Sequence, residues 1–203
     1  RKEFMTKYPI HVLLDHRVYE YNNILFGVTS NGAPTIAECE RKDGKVAIAL
    51  YNGILEGAMN DDDVDLSKSS PQTNIECFKV DDFKQYYDYV LLGCNRKHSY
   101  MDDQHTAIYA GSLIQQDFGE DVFNHGFELI NIIENKTEFH TIKNKNGKLD
   151  IIINSDGTTN VDVDDDYPEN MEFRIFYNYK DKALADNFCE TMISRNIKII
   201  DRR

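Results

Sequence analysis

Apolar and polar positions follow one another in short blocks along this chain, and the blocks predict more strands than helices. Ile10-His11-Val12-Leu13-Leu14, Val18-Tyr19-Glu20-Tyr21 and Ile24 to Thr29 read as strands, separated by turn residues at Asp15-His16-Arg17 and Asn22-Asn23. Lys45 to Tyr51 is a near-continuous apolar run closed by Asn52-Gly53. Tyr89-Val90-Leu91-Leu92 is another, ending at Gly93 and a polar loop, and Thr106 to Ala110 ends at Gly111-Ser112. Unbroken runs of this kind suit parallel strands buried on both faces. Val80-Asp81-Asp82-Phe83 predicts a capped helical turn ahead of Tyr89.

The second half begins with a β pattern from Gly126 to Ile153, in which Asn146-Gly147 reads as a hairpin turn. Ser155 to Asn170 is polar, rich in Asp and contains Pro168, the pattern of a linker or long loop. Glu172 to Tyr177 predicts a strand and Ile197 to Ile200 another. Between them, Asp181 to Ser194 predicts an amphipathic helix with Leu184, Phe188 and Met192 on its inward face. The fold class expected is α/β.

Charge narrows the partners. With 35 acidic and 23 basic residues the net charge is -12, which argues against a general nucleic-acid binder. Cys39, Cys77, Cys94 and Cys189 are scattered without C-x-x-C spacing, so the sequence predicts a reducing, intracellular compartment and no disulfide frame. No apolar run is long enough to span a membrane. Asn60 to Asp65 is acidic but lacks the glycine and terminal Glu of an EF-hand loop, and reads as a solvated loop.

Tyr87-Asp88-Tyr89-Val90, Gly93, Lys97, Gly111-Ser112-Leu113, Gln115, Phe118-Gly119-Glu120 and Gly126-Phe127 form an ordered series. The series resembles the last metal-binding region of the calcineurin-like metallophosphoesterases. The closest likeness is to the SbcD-type double-strand-break-repair exonucleases of phages and large DNA viruses. The pattern Y-P-I-H-x-L-L-D, then Y-E-Y, then I-x-F-G-V-T-S extends the resemblance back to Tyr8. It implies the C-terminal half of a metallophosphoesterase β-sandwich domain over residues 1–154. An acidic linker over 155–170 and a capping-type β-α-β unit over 171–203 would follow. The family's three earlier motifs, D-x-H, G-D-x-x-D and G-N-H-[DE], have no counterpart ahead of these segments.

The departures fall on the ligands. Where the resembled pattern has Y-H-G, this chain has Tyr51-Asn52-Gly53, and Gly-Asp/His-Ile-His is replaced by Gly93-Cys94-Asn95-Arg96. The family's chemistry uses two divalent metals, manganese or related ions, about 3.5–4 Å apart. Asn52 offers only a neutral amide oxygen, and Cys94 a soft thiolate that favours zinc. Arg96 stays protonated and has no lone pair to give. A unit charge about 4 Å from a dication costs roughly 8 kcal/mol at an effective dielectric near 20. The degenerate positions Asn52, Cys94 and Arg96 therefore predict no catalytic residue, no metal and no cofactor.

Other groups have weaker claims. Arg96-Lys97-His98 could meet phosphate where the family's active-site mouth lies, and these three are the phosphate-binding candidates. Cys94 beside Arg96 and Lys97 could be an activated nucleophile, but no base or orienting partner can be named, and a buried or half-buried thiol is the simpler reading. His98 with His105, and His11 with His16, lack zinc-site spacing. Ser112 lacks a G-x-S-x-G elbow and reads as a turn residue.

The sequence thus predicts a catalytically inactive SbcD-like relic that acts as a structural or interaction protein, with a viral particle as one setting. Self-assembly or a protein partner is expected, since apolar strands need a cover. Two alternatives stand beside it. One is a metal-dependent exonuclease or phosphoesterase whose N-terminal half comes from another chain. The other is a phosphate- or nucleic-acid-binding module.

Overall fold

Three apolar runs of the sequence become the middle of a parallel sheet. The computed structural model describes residues 12–69, 77–161, 167–194 and 198–202, and the chain is mixed α/β. It divides into two compact units, one made of Arg1–Ala58, Leu66–Cys94 and Tyr100–Tyr109, the other of Met59–Asp65, Asn95–Ser99 and Ala110–Arg203. No helix among the described residues is long and apolar enough to cross a membrane.

The first unit carries β1 (Arg17–Tyr21), β2 (Ile24–Thr29), β3 (Val46–Asn52), α1 (Leu66–Ser69), α2 (Val80–Lys84) and β4 (Tyr89–Gly93). With β5 (Ser99–Tyr100) and β6 (Ala107–Tyr109) these strands form one sheet in the order β1-β2-β3-β4-β6-β5. The neighbours from β2 to β6 run parallel, and β1 closes one edge antiparallel to β2. Because side chains alternate across a strand, Leu25, Ala47, Ala49, Tyr51, Val90 and Leu92 share one face. They pack into a core with Leu55, Phe83 and Tyr87. On the opposite face Ile48, Tyr89 and Ile108 are buried, while Phe26, Val28, Val46, Leu50 and Leu91 are half-buried.

Close approaches lock this unit. A Cβ on Gly27 would lie 1.8 Å from the Tyr87 hydroxyl, so only glycine lets that ring lie across β2. The Tyr87 hydroxyl donates to the Ala37 carbonyl. Asp88 accepts from the Ala47 N–H at 2.8 Å and from Arg41 Nη1 at 2.9 Å, pinning the start of β4 to β3. The buried Tyr109 hydroxyl accepts from the Leu55 N–H (2.9 Å) and donates to the Gly53 carbonyl (2.8 Å). Asp82 takes the Lys79 N–H at 2.7 Å and starts α2, the expected capped turn.

The second unit contains a two-stranded ribbon, β7 (Gly126–Asn131) with β8 (Lys136–Thr141). It also contains three parallel strands, β9 (Asn146–Ile153), β10 (Asn170–Tyr177) and β11 (Lys198–Arg202), with α3 (Lys182–Ser194) joining the last two. Ile151, Ile153, Met171, Phe173 and Ile175 pack against Ala185 and Cys189 of α3. Arg174 clasps Asp150, its register partner on β9, through two bonds of 2.7 and 2.6 Å. Along the outer edge of β9, the Gln115 amide takes both backbone groups of Lys148 (2.7 Å each). Asn160 accepts from the Ile152 N–H (2.7 Å) and donates to the Asp150 carbonyl (3.1 Å).

Several expectations need correcting. Residues 10 and 11 lie outside the described residues, and Val12 to Leu14 form no strand: Val12 and Leu14 are 68% and 71% exposed. Three apolar residues without a strand partner are not a strand, and here Leu13 and Leu14 border a groove instead. Asn146-Gly147 is not a turn but the start of β9, where a Cβ on Gly147 would lie 2.3 Å from Met171 Sδ. The ribbon turns earlier, over residues 132–135, where Asn135 takes φ +51°. On α3 the buried residues are Ala185, Cys189 and Met192, while Leu184 is exposed, so the inward face sits one residue round from the expected one. The stretch 155–170 is not a boundary between domains. Asn154 to Asn160 folds back on β9, residues 162–166 lie outside the described residues, and residues 110–154 belong to the same unit as β10 and β11.

Candidate functional site

The positions expected to have lost metal ligands are divided between the two units. Asn52 is the exposed last residue of β3, and Gly93 on β4 is its register partner. A Cβ on Gly93 would meet Asn52 Oδ1 at 2.6 Å, so the amide occupies the space beside the strand end. Cys94 follows with φ +80°, in the left-handed region that a side chain tolerates at a cost of about 1–2 kcal/mol. Its thiol is exposed, not buried or half-buried as the sequence suggests, because that backbone turn carries it out of the sheet. At the carboxyl ends of β2, β3 and β4 lies a groove of about 550 Å³ bordered by Leu13, Leu14, Val28, Leu50 and Asn52. Its lining contains no charged residue.

The basic triplet belongs to the second unit, and each member has a carboxylate. Arg96 Nη1 lies 2.7 Å from Glu120 Oε1, and that pair raises the guanidinium above its ordinary range. Glu120 is buried and also accepts from the N–H groups of Gln116 (3.3 Å) and Asp117 (3.1 Å), so it caps a turn while holding the arginine. Lys97 Nζ reaches Asp63 at 2.7 Å and the Asn60 carbonyl at 3.1 Å, which lowers the Asp63 carboxyl. His98 Nε2 is 3.0 Å from Glu128, and its ring stacks on Phe139 at 3.9 Å. Arg96 and Lys97 are therefore ion-paired, and His98 is hydrogen-bonded, at the positions that the sequence offers as phosphate-binding candidates.

Beside this loop, within the same unit, is a cleft of about 770 Å³ whose border includes Asp61, Glu120, Asp121, Asp150, Phe118 and Phe139. Burial pushes the Asp61 carboxyl up; Lys97 opposes that shift, and Asp121 and Glu120 add to it. Lys97 and His98 share the border of this cleft with those carboxylates.

Two residues that matter here carry no assigned role in the sequence. Glu120 is there only a letter of a resembled pattern, and its arginine lies 24 positions away. His125 is buried with its ring nitrogens against two carbonyl oxygens, and the neighbouring Gly126 is its only signal.

Three of the positions that carry the resemblance, Gly111, Ser112 and Gln115, lie against or hold backbone. A Cβ on Gly111 would come within 2.7 Å of the His98 nitrogen, the Ser112 N–H donates to the Arg96 carbonyl (2.9 Å), and Gln115 clamps β9. The donor set does not fit a two-metal centre. Asn52 is a neutral amide, Arg96 is committed to Glu120, and among the described residues no group of three or more His, Cys, Asp or Glu side chains could hold a metal ion.

No family model matches the chain. Over 152 residues it is 31% identical to an uncharacterized protein of Acanthamoeba polyphaga mimivirus, a stretch that covers 70% of this chain and 11% of that protein. The chain thus spans about a tenth of the length of the relative it matches.

Proposed function

We propose that this chain is a non-catalytic, SbcD-like metallophosphoesterase module that serves as a structural or interaction domain, in an intracellular viral setting that extends to the particle. The observation that carries the reading is the Arg96–Glu120 pair: a guanidinium stands at a ligand position of the resembled pattern and is held there by a buried carboxylate. The half-buried apolar row Phe26, Val28, Leu50 and Leu91 supports a role in contact with another polypeptide or a second copy, since parallel sheets are covered on both faces. The likeness to a mimivirus protein supports the viral setting.

The test combines elemental analysis of the purified chain with assays of manganese-dependent hydrolysis of DNA ends and model phosphodiesters. The expected result is no stoichiometric manganese, zinc or iron and no turnover. A bound dication with turnover would replace this reading with the exonuclease alternative.

A further inference from the structure

His125 is 3% exposed. Its Nδ1 lies 3.2 Å from the Ser112 carbonyl oxygen and its Nε2 lies 2.5 Å from the Asp121 carbonyl oxygen. Both partners are acceptors only. A neutral imidazole has one N–H and one lone pair, so it can satisfy one of them and turns a lone pair on the other. The imidazolium satisfies both.

We propose that His125 is a proton-operated clasp, closed when both ring nitrogens donate, that ties the bend at Ser112 to the Asp121–Asn124 turn. The segments it joins carry two other carboxylates, one ion-paired and one hydrogen-bonded but still charged. Glu120 is taken by Arg96, and the Asp121 carboxylate accepts from the N–H groups of Phe123 (2.6 Å) and Asn124 (2.7 Å). Asp61 is the further carboxylate within electrostatic reach of the ring, whose charge opposes the rise that burial gives the Asp61 carboxyl. The remaining backbone partners of His125, Phe123 and Ile142, bring no charge. Asp61, Asp121 and Asn124 border the acid-lined cleft, so the clasp fixes one of its walls. Loss of the proton leaves one carbonyl facing a lone pair and frees that wall. This inference does not rest on the function proposed above.

The test is nitrogen NMR of the ring in the full chain, assigned through the backbone and titrated between pH about 5 and 8. At the acid end both ring nitrogens should carry slowly exchanging protons. As the ring gives up its proton, the amide protons of Asn124 and Ile142 should lose about fivefold in exchange protection beyond the base-catalysed change. Asp61→Asn should move that step to lower pH, which ties the step to the charge on this ring and not to another titrating group; an unmoved step overturns the proposal. His125→Gln should abolish the step. A ring protonated on a single nitrogen throughout the range overturns the proposal, and so does the same protection step in His125→Gln. Should that variant not fold, the ring spectra and Asp61→Asn decide the matter without it.

Discussion

Arg96 and Glu120 meet at 2.7 Å with unequal surroundings: the arginine side chain is 53% exposed and the glutamate 2%. The carboxylate has three donors, of which the guanidinium is one, whereas the guanidinium has beside it, among the described residues, only a second, more distant carboxylate, Asp117 at 4.0 Å.

Removal of the two partners should therefore be unequal. Glu120→Ala strands two turn N–H groups and the arginine, and should cost about 2–4 kcal/mol. Arg96→Ala leaves the carboxylate capped by backbone and should cost about 1 kcal/mol or less. Urea denaturation midpoints of the two variants measure the difference, and equal losses would mean that the ion pair, not the cap, holds the turn.

Gly27→Ala should destabilise the first unit by about 3 kcal/mol or more, because the new methyl overlaps the Tyr87 ring, whose Cζ lies 2.3 Å from the added Cβ. Tyr87→Phe should not rescue it, since the overlap is with ring carbon as well as oxygen. Tyr87→Ala should rescue it in large measure, giving a strongly non-additive cycle by thermal melting.

Burial raises the phenols of Tyr109 and Tyr87 well above the usual range. In the unfolded chain each ionises near pH 10. Between that pH and the higher folded value the native state holds protons that the unfolded state has lost, so stability falls as pH rises. Below pH 10 the two phenols contribute no slope. Tyr109→Phe should flatten the alkaline loss while costing about 1–3 kcal/mol at neutral pH, as the Leu55 N–H and Gly53 carbonyl lose a partner. Melting temperatures of the two proteins across the alkaline range separate the effects.

Single-stranded DNA should bind weakly and show little salt dependence. Two free cations would give a log–log salt slope of about -1.4. Arg96 and Lys97 are already paired with Glu120 and Asp63, so Arg96→Ala with Lys97→Ala should leave fluorescence anisotropy unchanged. A steep native slope that the double variant flattens would restore the phosphate-binding reading.

The half-buried row on the second face of the parallel sheet leads to a hydrodynamic expectation. Each 100 Å² of apolar surface left in water forgoes roughly 2.5 kcal/mol. At micromolar concentration the isolated chain should sediment above the monomer mass or bind an apolar dye. A monomer that binds no dye would remove the main support for an interaction role.

The central strands of the sheet are legible in the chain because β2, β3 and β4 are apolar runs bounded by Asn or Gly, and burial leaves that mark, but their order is not. Val12 to Leu14 carry the same mark without pairing, since an apolar triplet can border a groove as well as extend a sheet. β5 is two residues long and leaves no periodicity. The helix face is misread because four-residue steps and the steps Ala185, Cys189, Met192 differ by one position, and a small alanine is easily overlooked as core. At the candidate site the residue types are legible but their neutralisation is not. Arg96 meets Glu120, and Lys97 meets Asp63, only through turns that bring distant segments together, one of them marked by the left-handed Cys94.

Gln115 and Asn160 have a consequence for what the parallel strands of the second unit can recruit. Their side-chain amides engage the outward backbone groups of Lys148, Asp150 and Ile152 much as an adjacent strand would. A naked strand margin invites stray polypeptide to add on and grow into aggregates. Here two primary amides act as a hem, finishing that margin at a width of three strands without adding a fourth. Any ordered assembly that this protein enters must therefore be made by a surface other than the outer border of β9, and that border stays inert while the chain is crowded among copies of itself.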